Sequence, residues 1–178
     1  MPLSAPTSHD PAVFSHTLRV YWEDTDAGGV VFYANHLKFF ERARTEWLRA
    51  RGVQQQALRE AEGVIFVVAE TQVRYLAPAR LDDLLRVSVQ PQVLGRASLT
   101  LVQQSWRVGA DKADVVADVA DIGAVATTAT TATTTTPATP EQADIGPLLA
   151  EGTIRIGCVD AGTLRPCRIP NHVLAALQ

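Results

Sequence analysis

One long amphipathic helix, preceded by one strand and followed by four, predicts an α+β fold. Three observations carry that reading. Apolar side chains recur with helical spacing after residue 35. Short alternating stretches stand before that helix and between residues 63 and 108. A further alternating stretch, "EGTIRIGCVD", lies near the C-terminus. A helix with one apolar face needs cover, and a curved antiparallel sheet supplies it.

The elements follow in order. Residues 1–15, rich in Pro, Ser and Ala, read as a flexible tail. "HTLRVYW" sets Leu18, Val20 and Trp22 against Thr17, Arg19 and Tyr21, the period of a strand. The turn "EDTDAGGV" leads to a helix from about Asn35, with Asn35 as the expected N-cap. Leu37, Phe40, Arg44, Trp47 and Leu48 form its stripe, supported by Phe39 and Ala43, and Gly52 stops it. "QQQALRE" reads as a second short helix. "GVIFVVAETQVRYL", "DLLRVSVQPQVL" and "ASLTLVQQSWRV" read as strands, with a bulge or edge position at Pro91 and a tight turn at "LGR". From about residue 109 to 149 Thr and Ala dominate, which reads as a flexible insertion in a single domain spanning 16–178. "EGTIRIGCVD" is the fifth strand, followed by a turn and a short terminal helix.

Composition narrows the function classes. The chain has 178 residues, 47% hydrophobic and 20% charged, enough for one real core. A net charge of -3 offers no basic surface for nucleic acid or anionic lipid. Cys158 and Cys167 have no metal-site spacing and read as ordinary reduced thiols. No metal or cofactor is expected. The N-terminus lacks a basic start and an apolar run, and no stretch reaches membrane-spanning length, so the expected location is the cytoplasm.

The stretch "EDTDAGGVVFYANH" crowds Glu23, Asp24 and Asp26 against two glycines before a helix. Asp and Gly there serve turn and cap chemistry, or else set a carboxylate beside the free N–H groups of a helix start. Glu41 and Glu46 are rival acids on the helix. Each stands three residues before an arginine, Arg44 and Arg49, which reads as a salt-bridged flank.

"VYWEDTDAGGVVFYANHLKFFERARTEWLRARG" resembles the YbgC-type acyl-CoA thioesterases, relatives of 4-hydroxybenzoyl-CoA thioesterase. The pattern D-T-D-x-x-G-x-V stands at Asp24, Thr25, Asp26, Gly29 and Val31. "YLAPARLDD" and "CVDAGTLRPCRIP" are similar to the same family. The resemblance covers about residues 17–108 and 151–172. It implies a hotdog fold, an antiparallel five-stranded sheet wrapped around a central helix. It also implies a homo-oligomer, dimer or tetramer, with active sites at the subunit interface. The implied activity is metal-free hydrolysis of an acyl-CoA thioester, with acyl carrier protein as an alternative acyl donor.

The resemblance places the catalytic acid at Asp26 and an oxyanion donor at the Tyr33 backbone N–H. Gly28 and Gly29 let substrate and backbone approach closely, and Val31 and His36 line the substrate site. Arg96, in the turn "LGRAS", aligns with a basic turn that meets the coenzyme A nucleotide, or is a solvated turn residue. Arg74, Arg80 and Arg168 are weaker cations for it. Many YbgC-type members have His at position 33, and Tyr at positions 36 and 22, where this chain has Tyr33, His36 and Trp22. Substrate choice is therefore open. The alternatives are a non-catalytic acyl-CoA or acyl-carrier-protein binding scaffold of the Tol–Pal envelope system, and an acyl-CoA hydratase.

Overall fold

Helix α1, Asn35–Ala50, organises the chain. Phe39, Phe40 and Ala43 are wholly buried on its inner face, and Trp47 almost so. Each large apolar group of that stripe stabilises the fold by about 2–3 kcal/mol on burial. The structure is a computed structural model that describes residues 13–109 and 145–178. Residues 1–12 of the expected tail, and 110–144 of the expected insertion, lie outside the described residues.

The sheet is antiparallel throughout. Its strands are β1 (Phe14–Arg19), β2 (Val64–Tyr75), β3 (Leu84–Leu94), β4 (Ser98–Val108) and β5 (Ile145–Asp160). Their spatial order is β1-β3-β4-β5-β2. Helices α2 (Gln55–Glu62) and α3 (Asn171–Leu177) complete the described elements. This is the expected α+β hotdog arrangement, with α1 lying on the concave sheet. The helix packs tightly at Gly152, where a Cβ would stand 3.0 Å from Phe40 Cε2. Pro91 sits at the expected bulge, where the β3–β4 register shifts, beyond the reach of β1, whose pairing ends at Val89.

Six details differ from the sequence reading, each for a local reason. Phe14 and Ser15, expected in the tail, already belong to β1, because they pair with Val89 and Ser88 of β3. Trp22 is 78% exposed rather than inward, because the chain leaves β1 at Arg19 and coils into a short 3-10 turn, Trp22–Asp24. Leu37 points outward at 40% exposure, and His36 takes its place on the inner face. Asn35 is not the N-cap. It stands inside the first turn, and its side-chain amide donates to the Asp24 carbonyl at 3.0 Å. β5 begins at Ile145, ahead of Glu151. Its early part pairs with β4 and buries Leu149 and Ala150. Arg49 pairs with Glu46 as expected, but Arg44 turns inward instead of pairing with Glu41. Arg44 donates to Gln103 Oε1 at 2.8 Å, and Gln103 Nε2 donates to the Phe40 carbonyl at 3.0 Å.

Candidate functional site

The segment between β1 and α1 folds as a small hairpin. Thr25 bridges Val31, the Asp26 N–H donates to the Val30 carbonyl at 2.9 Å, and the Phe32 N–H donates to the Asp24 carbonyl at 2.9 Å. Gly29 makes the turn possible: its φ is +70°, a conformation costly for any side chain. The Val31 N–H donates to the Ala79 carbonyl at 2.8 Å, which ties the hairpin to the loop after β2. That loop is itself held by Arg107, which donates to Asp83 Oδ2 at 3.0 Å and to the Pro78 carbonyl at 2.8 Å.

The three crowded acids now separate by environment. Asp24 is buried, and its carboxylate accepts the Tyr21 N–H at 2.9 Å. It organises the turn. Glu23 is exposed. Asp26 is exposed at the hairpin, with Oδ1 accepting the Gly28 N–H at 2.8 Å. A Cβ on residue 28 would lie 3.0 Å from that same oxygen. Glycine at 28 therefore keeps the approach to the carboxylate clear.

The other arm of the hairpin runs straight into α1. The backbone N–H groups of Tyr33 and Ala34 find no acceptor among the described residues. They stand where the helix dipole carries its partial positive charge. The Tyr33 ring is 62% exposed and meets Tyr75 edge-on, with centroids 6.2 Å apart. Tyr75 in turn lies 5.6 Å from the His36 ring, which packs on Phe39. His36 is buried and its Nδ1 has no partner among the described residues. Burial pulls its pKa below the ordinary 6.5, so the imidazole is neutral near pH 7. Burial, and then the neighbouring Tyr33, push the Tyr75 hydroxyl above its usual range.

Tyr75 was not among the residues read from sequence as functional. Its signal was the "YLAPARLDD" block, which begins with it. Arg96 falls elsewhere. The row Val87–Ser105–Ala150–Tyr75 crosses the sheet beside His36. Arg96 lies in the exposed β3–β4 turn at the other end. From Ser105 to Ser98 the strand covers roughly 23 Å at about 3.3 Å per residue. Arg74 is paired with Glu151 at 2.7 Å. Glu41 is exposed and accepts the Thr45 hydroxyl at 2.8 Å. A separate cavity of about 90 Å³ follows the later half of α1, with Arg44, Trp47, Phe66, Leu99 and Ile156 in its walls. Among the described residues, no cluster of potential metal ligands forms, and no helix is long and apolar enough to cross a membrane.

This hairpin-and-helix site on a hotdog scaffold defines a class. Residues 20–177 match the family described as the thioesterase-like superfamily. The acyl-CoA thioesterase YbgC of Haemophilus influenzae is 34% identical over 165 residues, covering 93% of this chain and 94% of that protein. The acyl-CoA thioester hydrolase YbgC of Escherichia coli O157:H7 is 50% identical over 92 residues, 52% of this chain and 68% of that protein. A solved structure of a 4-hydroxybenzoyl CoA thioesterase variant complexed with 4-hydroxybenzoyl CoA superposes with a TM-score of 0.68 at 15% identity. That match covers 93% of this chain and 99% of the other, and supports the fold alone. The chain belongs to the thioesterase-like superfamily, in its YbgC-type branch, and is a thioester hydrolase.

Proposed function

We propose that this protein hydrolyses an acyl-CoA thioester to the free acid and coenzyme A, with Asp26 as the reacting carboxylate. One observation carries the reading. Asp26 stands on one arm of a hairpin whose other arm leads at once to the Tyr33 N–H, which has no acceptor among the described residues. A thioester carbonyl held between them has its oxygen on the helix start and its carbon toward the carboxylate. Two routes fit. Asp26 attacks the carbonyl carbon and expels the coenzyme A thiolate, leaving an anhydride that water opens. Alternatively, Asp26 takes a proton from water as the water attacks. Val31, Gly28, Gly29 and neutral His36 shape the acyl side. The active unit is a homo-oligomer, dimer or tetramer, and the Arg96 turn lies at the end of the sheet away from the row beside His36. Arg96 of a second copy meets the nucleotide phosphates. The free outer edge of β2, with Val68 and Tyr75 exposed and no described strand beyond it, supports such an assembly. Cytoplasmic location and use of acyl carrier protein belong to the same proposal.

A second reading is a non-catalytic acyl-binding scaffold, of the kind that serves the Tol–Pal envelope system. The exposed aromatics Tyr21 and Trp22 favour it, as they suit a protein partner. A panel of aliphatic and aromatic acyl-CoA substrates, read with a thiol reagent, separates the two. Steady release of coenzyme A from at least one member is expected. Binding without release across the panel would leave only the scaffold.

A further inference from the structure

Cys158 and Cys167 face each other across a hairpin. β5 continues past Asp160 into a turn, and the returning chain pairs with it at Val159 and Pro166. The Asp160 carboxylate fastens the turn, accepting the Thr163 N–H and hydroxyl at 2.7 Å each and the Gly162 N–H at 3.1 Å. The Cys167 N–H donates to the Cys158 carbonyl at 2.9 Å. The two sulfurs, both free thiols, are 3.5 Å apart. A disulfide needs them about 1.5 Å closer, a shift that side-chain rotation supplies when the backbones are already paired.

The two thiols differ in access. Cys158 is wholly buried, while Cys167 is partly open to solvent. We propose that the pair is a reversible dithiol–disulfide site that takes oxidised low-molecular-weight thiols. The Cys167 thiolate attacks one sulfur of the small disulfide and releases one thiolate, leaving a mixed disulfide on Cys167. The Cys158 sulfur attacks Cys167 Sγ and passes its proton to the second small thiolate, which leaves as a thiol. One protein disulfide forms, two protein thiols are oxidised, and one small disulfide is reduced to two thiols. Burial, and then the Cys167 contact, push the Cys158 thiol up to about 12, so Cys158 rests protonated and waits for a mixed disulfide beside it. Proximity offsets that low thiolate fraction.

The site sits where it can act on its surroundings. Cys158 donates its N–H to the Ala97 carbonyl at 2.8 Å, and the Ile169 N–H donates to the Arg96 carbonyl at 2.8 Å. Closing the pair therefore ties the segment bearing Arg168 to β5, next to the Arg96 turn.

The test uses the native, full-length protein and oxidised glutathione, with diamide as a second oxidant. Free thiols counted after unfolding should fall from two per chain to none, and dithiothreitol should restore both. A protease cutting before Asp160 should then give two peptides joined by a Cys158–Cys167 bond. Cys158→Ala should instead hold one glutathione on Cys167. The proposal is overturned if both thiols survive oxidation of the folded protein. It is equally overturned if wild type stops at the glutathione adduct, or if only cross-links between chains form. The chemistry is read without any acyl-CoA assay, so its failure leaves the thioesterase reading untouched, and the reverse.

Discussion

Asp24 and Asp26 are two residues apart in opposite circumstances, and that contrast decides which carboxylate is free to react. Asp24 is consumed by the turn, whereas Asp26 has one oxygen on the Gly28 N–H and stays open. Asp26→Asn keeps the acceptor for Gly28 and removes only the charge. Turnover on the best acyl-CoA should fall by at least about a hundredfold, the scale of a lost general base, with KM and oligomer size little changed. Glu41→Gln should retain turnover, and steady-state kinetics of the pair decides between the two acids. His36 makes a pH prediction. Its folded pKa lies below its ordinary value, so the unfolded chain binds the proton more readily. The stability due to its neutral form is present above about pH 6.5 and is lost as pH falls toward the folded pKa. Denaturant melts at pH 7 and pH 5 should show a smaller acid loss in His36→Gln than in wild type. An equal loss in both would assign the acid sensitivity elsewhere.

At the scale of elements, the helix is joined to the sheet by more than apolar packing. Arg44 is 8% exposed, and burial lowers its pKa, while Glu41 opposes that shift without pairing to it. Its named partner is neutral Gln103, itself bonded to the Phe40 carbonyl. Gln103→Leu should cost about 3 kcal/mol or more in denaturant melts, because it strands a buried charge. Adding Arg44→Met should recover much of that loss. This link was not legible in the sequence. Arg44 fell on the apolar stripe by spacing, but spacing cannot say that a strand glutamine waits beneath it. Alternation did reveal β3 and β4, since each buries one face. β2 was legible by its β-branched run, although its outer half is exposed. The start of β5 was hidden because "IGPLLA" adjoins Thr/Ala-rich chain and contains Pro147. Pairing settles it: Val108 lies opposite Ile145, and Leu149 accepts from the Leu76 N–H at 2.8 Å. Replacing residues 110–144 by a short Gly-containing turn should therefore leave melting temperature and turnover near wild type. A deletion that also removes 145–150 should lower the melting temperature by several degrees or more, since it discards buried Leu149.

At the scale of the whole molecule, the candidate acid and the candidate phosphate-binding cation occupy opposite ends of one sheet. On the proposed reading a protomer alone holds half a site, as the subunit-interface site implied by the resemblance requires; the motifs give Asp26 and Arg96 their roles without placing them. If coenzyme A spans two copies, Arg96→Ala should raise KM for acyl-CoA about tenfold, the scale of one charge-assisted contact, and leave a truncated acyl-pantetheine almost unaffected. Mixing variants then tests the assembly itself. In a dimer of one Asp26→Asn chain and one Arg96→Ala chain, one site receives both defects. The other receives the intact Asp26 of the Arg96→Ala chain and the intact Arg96 of the Asp26→Asn chain. Co-expression with the Asp26→Asn chain in excess should therefore restore turnover at a near-wild-type KM, which neither variant has alone. A site built within one protomer gives a different result. Every active centre in the mixture would then lack its own Arg96, and KM would stay at the raised value of Arg96→Ala. Kinetics on the purified mixed dimer reads that difference directly, and an unshifted, raised KM would refute the shared site while leaving the role of Asp26 standing.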